Sequence, residues 1–162
     1  MTGLAERRGE PVTVAPLYLE DIPLGMPREF GQHVLTEAEI IEFALRWDPQ
    51  PFHIDPVAAT QSVFGELVAC AAHLFAIVSR LVTQDDKPAA LLAGLGGTGM
   101  QLRAPGRPGD RLHLRLTYLA ARPSASRPDA GVVLQRLELL DSTQRMLMFQ
   151  EGSILVARRP PA

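Results

Sequence analysis

The chain has 162 residues, the size of one domain; 46% are hydrophobic and 21% charged, too apolar a balance for a disordered polymer. Sixteen Lys and Arg against eighteen Asp and Glu leave a net charge of −2, which argues against an electrostatic attraction to nucleic acid. The single cysteine, Cys70, excludes an internal disulfide framework and a Cys-rich zinc site.

Residues 1–16 read as a loose N-terminal arm, with a short strand expected at Val12 to Leu19. Arg7 and Arg8 are accompanied by Glu6 and Glu10, and no apolar segment of a secretory signal follows them. The longest nearly uncharged stretch, Leu67 to Ser79, is shorter than the roughly 20 residues of a membrane span. A cytoplasmic location and no membrane partner are therefore expected. Thr36 and Glu39 form an S/T-x-x-E capping box. Behind it Ile40, Phe43, Ala44 and Trp47 fall on one helical face, and Asp48-Pro49 ends that helix. Asp55-Pro56 reads as an N-cap with proline at the first helical position, opening a short helix over Val57 to Gln61. After a Phe64-Gly65 turn, Glu66 to about Gln84 carries apolar residues on nearly every side, the pattern of a core helix wrapped by the fold.

The second half changes period. Leu91 to Arg103 holds four glycines and reads as a bulged strand; its Gly96-Gly97-Thr98-Gly99 run lacks the Lys-Ser/Thr of a phosphate loop. Arg111 to Tyr118 alternates polar and apolar without a fault, the signature of a half-buried strand. Gly131 to Leu140 and Arg145 to Ala157 are further strands joined by an Asp141-Ser142-Thr143-Gln144 turn, and Arg122 to Gly131 is a loop. Helices followed by a meander of antiparallel strands predict an α+β domain in which one sheet curls around an apolar helix.

The chemistry-bearing residues are densest at Asp48-Pro49-Gln50-Pro51-Phe52-His53-Ile54-Asp55. Two prolines predict a stiff, extended turn here, able to bring Asp48 and His53 to one point for acid–base work. An imidazole exchanges protons near neutral pH, and a carboxylate beside it orients a water. A plainer reading stands beside this one: Asp48 caps its helix and His53 satisfies a loop carbonyl.

Asp-x-x-Pro-x-His-x-Asp after an amphipathic helix, then Phe64-Gly65 and an apolar helix, resembles the MaoC-like hydratase/dehydratase family. The resemblance runs from about Leu17 to Arg159 and takes in Arg107-Pro108-Gly109-Asp110. It implies a single hot-dog domain over residues 17–159, an antiparallel sheet wrapped around a long central helix. It also implies an (R)-specific enoyl-CoA hydratase-like activity without cofactor, acting on an acyl-CoA thioester, in a homodimer with the substrate channel near its interface. Asp48 and His53 match the family's catalytic pair. Ala71 stands where the family has the glycine whose N–H forms the oxyanion hole, and Gln50 stands where it has Asn. Ser79 matches a hydroxyl of some hydratases. Two other activities remain open on the same fold: a non-catalytic acyl-CoA-binding subunit and an acyl-CoA thioesterase.

The remaining residues carry plainer readings. Asp48, His53 and Asp55 are conceivable metal ligands, but Asp55 is better explained as an N-cap, so no metal is expected. His73 reads as a satisfied core histidine before a substrate contact, and Cys70 as a small buried hydrophobe. Arg103, Arg107, Arg111, Arg115, Arg122 and Arg127 read as a solvated strand face and hairpin loop, with the phosphates of coenzyme A as the alternative partner.

Overall fold

The computed structural model describes residues 14–161. The expected arm lies outside them except for residues 14–16. The short strand expected at Val12 to Leu19 survives among the described residues only as a bridge between Leu17 and Ala89, followed by one 3-10 turn at Leu19–Asp21.

Five strands form one antiparallel sheet: β1 (Arg28–Val34), β2 (Leu91–Leu102), β3 (Arg111–Pro123), β4 (Ala130–Asp141) and β5 (Met146–Ala157), in the order β1-β3-β4-β5-β2. Four helices precede β2: α1 (Glu37–Trp47), α2 (Pro51–Ile54), α3 (Pro56–Ala59) and α4 (Ala71–Val82). This is the sheet-around-a-helix arrangement expected of a hot-dog fold. The alternation in β3 buries Leu112, Leu114, Leu116 and Tyr118, which pack with Leu137, Leu139 and Leu147 against Leu74, Ile77, Val78 and Leu81 of α4.

α1 forms as its capping box dictates. Thr36 accepts from the Glu39 N–H at 3.2 Å, and Glu39 reaches back to the Thr36 N–H. Its buried residues are Ile40 and Ala44, while Trp47 departs from the expected apolar face: it stays 63% exposed with Arg46 over its ring.

Four expectations are corrected. The extended turn at residues 48–55 instead contains the one-turn helix α2, because Pro51 occupies N1, where no backbone N–H is needed. The helix after Asp55 closes at Ala59 rather than Gln61. The core helix begins at Ala71, not Glu66, and ends at Val82. Its would-be first turn is extended because the Val68 N–H bonds the Phe52 carbonyl (3.2 Å) and the Ala69 N–H bonds the Gly106 carbonyl (2.9 Å). Nor is α4 wrapped on every side, since Ala72, Phe75, Ala76, Ser79 and Arg80 are exposed. Strand β1 is an addition that the periodicity did not signal.

The glycine run of β2 is bulged, with register breaks around Gly94 and between Gly97 and Met100. The turn between β4 and β5 is tied to the rest by carboxylates. Asp141 accepts from Thr143 and from Arg145, whose guanidinium also reaches Asp110 at 3.0 Å. Asp110 in turn takes the Arg107 N–H at 2.9 Å. That chain of contacts fixes the 104–110 loop, whose Gly106 supports Ala69.

A Cβ on Gly106 would stand 2.8 Å from Leu74 Cδ2, 3.1 Å from Leu35 Cδ2 and 3.4 Å from Leu147 Cδ2. All three leucines are fully packed in the core. Gly106→Ala is therefore expected to cost about 1–3 kcal/mol through overpacking, read by urea unfolding. A variant as stable as wild type would mean that the leucines move aside freely.

Candidate active site

Asp48 is the C-cap of α1, its N–H still bonded to the Ala44 carbonyl at 2.9 Å. Pro49 prevents continuation. The Asp48 carbonyl then takes the Gln50 N–H, and the Gln50 carbonyl takes the His53 N–H, both at 2.8 Å. These two bonds fold the chain back, so that His53 faces the residue five positions before it. His53 Nε2 lies 3.8 Å from Asp48 Oδ2, with the imidazole 9% exposed and the carboxylate 37% exposed.

The other ring nitrogen is held firmly. His53 Nδ1 is 2.6 Å from the Val68 carbonyl. A carbonyl only accepts, so Nδ1 carries the proton, and in the neutral ring Nε2 presents its lone pair. The Phe52 ring meets the imidazole edge-on at 4.5 Å. At 3.8 Å the Nε2 and Oδ2 atoms are too far apart for a direct bond, yet one water oxygen can lie about 2.8 Å from both.

Both groups open into a cleft of about 370 Å³, lined also by Phe64, Ala71, Leu74, Leu102 and Arg103. Ala71 is the first residue of α4, and its N–H has no acceptor among the described residues. It is one of the unpaired donors at a helix N-terminus, where developing negative charge is favoured. The cleft thus combines a carboxylate, an oriented imidazole and a free N–H within apolar walls.

Asp48, His53 and Ala71 share this cleft; Gln50 and Ser79 do not line it. The Gln50 side chain is exposed, and its backbone carbonyl is what serves the turn. Ser79 donates to the Phe75 carbonyl at 3.1 Å and lines a separate groove between α4 and β2. Asp55 is the N-cap of α3, its Oδ1 accepting from the Val57 and Ala58 N–H groups. Among the described residues no His, Cys, Asp and Glu cluster is placed to hold a metal. Sequence reasoning missed Val68 and Phe64. The Val68 carbonyl carries no side-chain signal; Phe64 was visible only as part of a turn.

Cys70 is buried, and burial pushes its thiol up, assisted by the nearby Asp48 charge and opposed by N–H groups of His73 and Ala72. That environment suits an inert thiol rather than a nucleophile. His73 stacks flat on Phe43 at 4.5 Å. Its Nε2 lies 3.2 Å from Glu39 Oε1, an oxygen shared with His33 at 2.7 Å, and it does not line the cleft.

The sequence profile described as MaoC like domain matches residues 21–133, more than two thirds of the chain. The chain belongs to the MaoC-like domain family. A MaoC-like dehydratase from Rhodospirillum rubrum is 39% identical, superposes with a TM-score of 0.77, and is matched over 90% of this chain and 99% of its own. Protein MaoC of Klebsiella aerogenes is 34% identical over 101 residues, 62% of this chain, but the aligned part is 30% of that longer protein. An (R)-hydratase from Pseudomonas aeruginosa shares the fold, with a TM-score of 0.71 over 90% of this chain and 95% of its own, at 20% identity. In this MaoC-like chain the turn carrying Asp48 and His53 lies inside the matched residues.

Burial is the main reason that His73 resists protonation, against the opposing pull of Glu39. Its folded-state pKa is therefore depressed, and the stability this brings is present above about pH 6.5 and lost as pH falls below it. His73→Phe is expected to flatten the fall in unfolding free energy between pH 7 and 5, measured by denaturant titration. An unchanged slope would remove His73 from the pH response.

Proposed function

We propose that this chain is a hydratase/dehydratase of acyl thioesters, adding water to an enoyl-CoA or removing it from a 3-hydroxyacyl-CoA. The observation that carries the proposal is the His53 Nδ1–H bond to the Val68 carbonyl, which aims Nε2 into a cleft shared with Asp48 and the Ala71 N–H. The relatedness to a MaoC-like dehydratase at 39% identity supports the same class of reaction.

The reaction follows from these groups. A water held by the Asp48 carboxylate and His53 Nε2 attacks the β carbon of the enoyl thioester. Its oxygen forms the new C–O bond, and the proton it sheds is taken by the acid–base pair. The electron pair of the C=C bond moves toward the thioester, whose oxygen becomes enolate-like and accepts the Ala71 N–H. Return of one proton from the pair to the α carbon completes the addition, and dehydration is the same path reversed. Nδ1 stays committed to Val68 throughout, so a single ring nitrogen exchanges protons.

A homodimer of the 17–159 domain completes this reading. The β2 edge exposes Leu91, Leu92, Leu95, Met100 and Leu102, and Phe75 of α4 is exposed beside it. Exposed apolar side chains along a free sheet edge suit an interface with a second copy. A cytoplasmic setting suits a CoA thioester, and no helix among the described residues is long and apolar enough to cross a membrane.

The test is steady-state hydration of crotonyl-CoA. His53→Ala and Asp48→Asn are each expected to lower kcat by about 10²–10⁴-fold. Variants as fast as wild type would refute the assignment. Release of free CoA thiol in place of hydration would make the protein a thioesterase instead.

A further inference from the structure

Resting on the acyl-thioester reading, we propose that Arg103, at the mouth of the cleft, binds the phosphate-bearing end of the substrate's carrier arm. Six arginines lie between residues 103 and 127, and the structure separates them. Arg107 is paired with Glu66, Arg115 with Glu29 at 2.7 Å, and Arg127 with Asp129 at 2.7 Å. Arg111 lines a cleft beside β1 that contains neither Asp48 nor His53. Arg122 donates to the carbonyl of the adjacent Pro123 at 3.4 Å. Arg103 alone of the six lines the cleft of Asp48 and His53, and it has no carboxylate partner among the described residues.

Arg103 is exposed but held in place. Its backbone N–H bonds the Leu147 carbonyl at 2.8 Å, and its guanidinium lies over the Phe149 ring, 5.2 Å from the centroid. A guanidinium stacked on an aromatic face keeps its N–H edge available, and that edge matches phosphate oxygens in geometry and charge.

A second groove of about 470 Å³ runs along β4 and β5, lined by Arg103, Arg136, Glu138, Met146 and Phe149. Arg103 is common to this groove and the catalytic cleft. Glu138 lies 3.8 Å from Arg115, which is bonded to Glu29, and Glu151 accepts from Arg136 Nε at 2.8 Å. Of the two arginines that line the groove, Arg136 is paired with Glu151, and Arg103 has no carboxylate partner among the described residues. Its place on both the cleft and the groove beyond it suits an anion that trails the reacting carbons. Coenzyme A and an acyl carrier protein both present such a phosphate at the end of a flexible arm.

The experiment compares wild type and Arg103→Glu on three crotonyl thioesters: those of coenzyme A, 4′-phosphopantetheine and N-acetylcysteamine, the last without phosphate. The ratio of kcat/KM on the CoA thioester to that on the N-acetylcysteamine thioester is expected to fall about tenfold or more. Calorimetry with free coenzyme A is expected to show a similar loss of affinity. A loss shared by the phosphopantetheine thioester assigns the contact to the arm's own phosphate. A loss confined to the CoA thioester assigns it to the nucleotide phosphates, and either supports the proposal. An unchanged ratio with unchanged CoA affinity, or an equal loss on all three thioesters, overturns it. If no thioester is hydrated, the hydratase reading fails while calorimetry still decides the role of Arg103.

Discussion

One hydrogen bond joins the turn that bears Asp48 and His53 to the segment that launches the central helix. His53 Nδ1 and the Val68 carbonyl are 2.6 Å apart, and the Val68 N–H bonds back to the Phe52 carbonyl at 3.2 Å. The two segments are thus stitched together by donors and acceptors from both. The bond sets the tautomer of His53, and the stitching keeps residues 67–70 out of the helix. Ala71 then becomes the first helical residue, with an N–H free to meet a ligand. Orientation of the His53 ring and exposure of the Ala71 N–H are two consequences of one local arrangement.

That arrangement is braced by the loop between β2 and β3. Ala69 hangs on the Gly106 carbonyl at 2.9 Å, and the loop bearing Gly106 is fixed through Asp110, Arg145 and Asp141. Gly106 itself sits against three core leucines with no room for a Cβ. Precision at the site therefore draws on the hydrophobic core, not only on the polar residues that face the cleft.

What could be read in the sequence was whatever depends on local pattern. The Thr36–Glu39 box, the Asp55-Pro56 cap and the alternation of β3 are short-range signals, and each corresponds to an observed element. The start of α4 could not be read this way. Residues 67–70 continue the apolar pattern, and only the distant acceptors on Phe52 and Gly106 pull them straight. Strand β1 escaped for a related reason, since Gly31 sits at φ +77° and the register shifts between Phe30 and His33, which breaks the alternation. At the site, Asp48 and His53 were legible as residues and from the family resemblance. The plainer reading is what the structure shows, since Asp48 caps α1 and His53 satisfies a loop carbonyl, and those same contacts place the two side chains on one cleft, as the proposed acid–base role requires. Gln50 and Ser79, carried over by resemblance, have side chains outside the cleft.

The central claim is that His53 is locked as the Nδ1–H tautomer with Nε2 open to the cleft. It is tested most directly by ¹⁵N NMR of the imidazoles in the folded protein. The chain has four histidines, so the His53 signals are assigned as those lost in His53→Gln. In the neutral state the account predicts a protonated, pyrrole-type Nδ1 and an unprotonated, pyridine-type Nε2. A protonated Nε2, or two nitrogens averaged by rapid tautomer exchange, would contradict it.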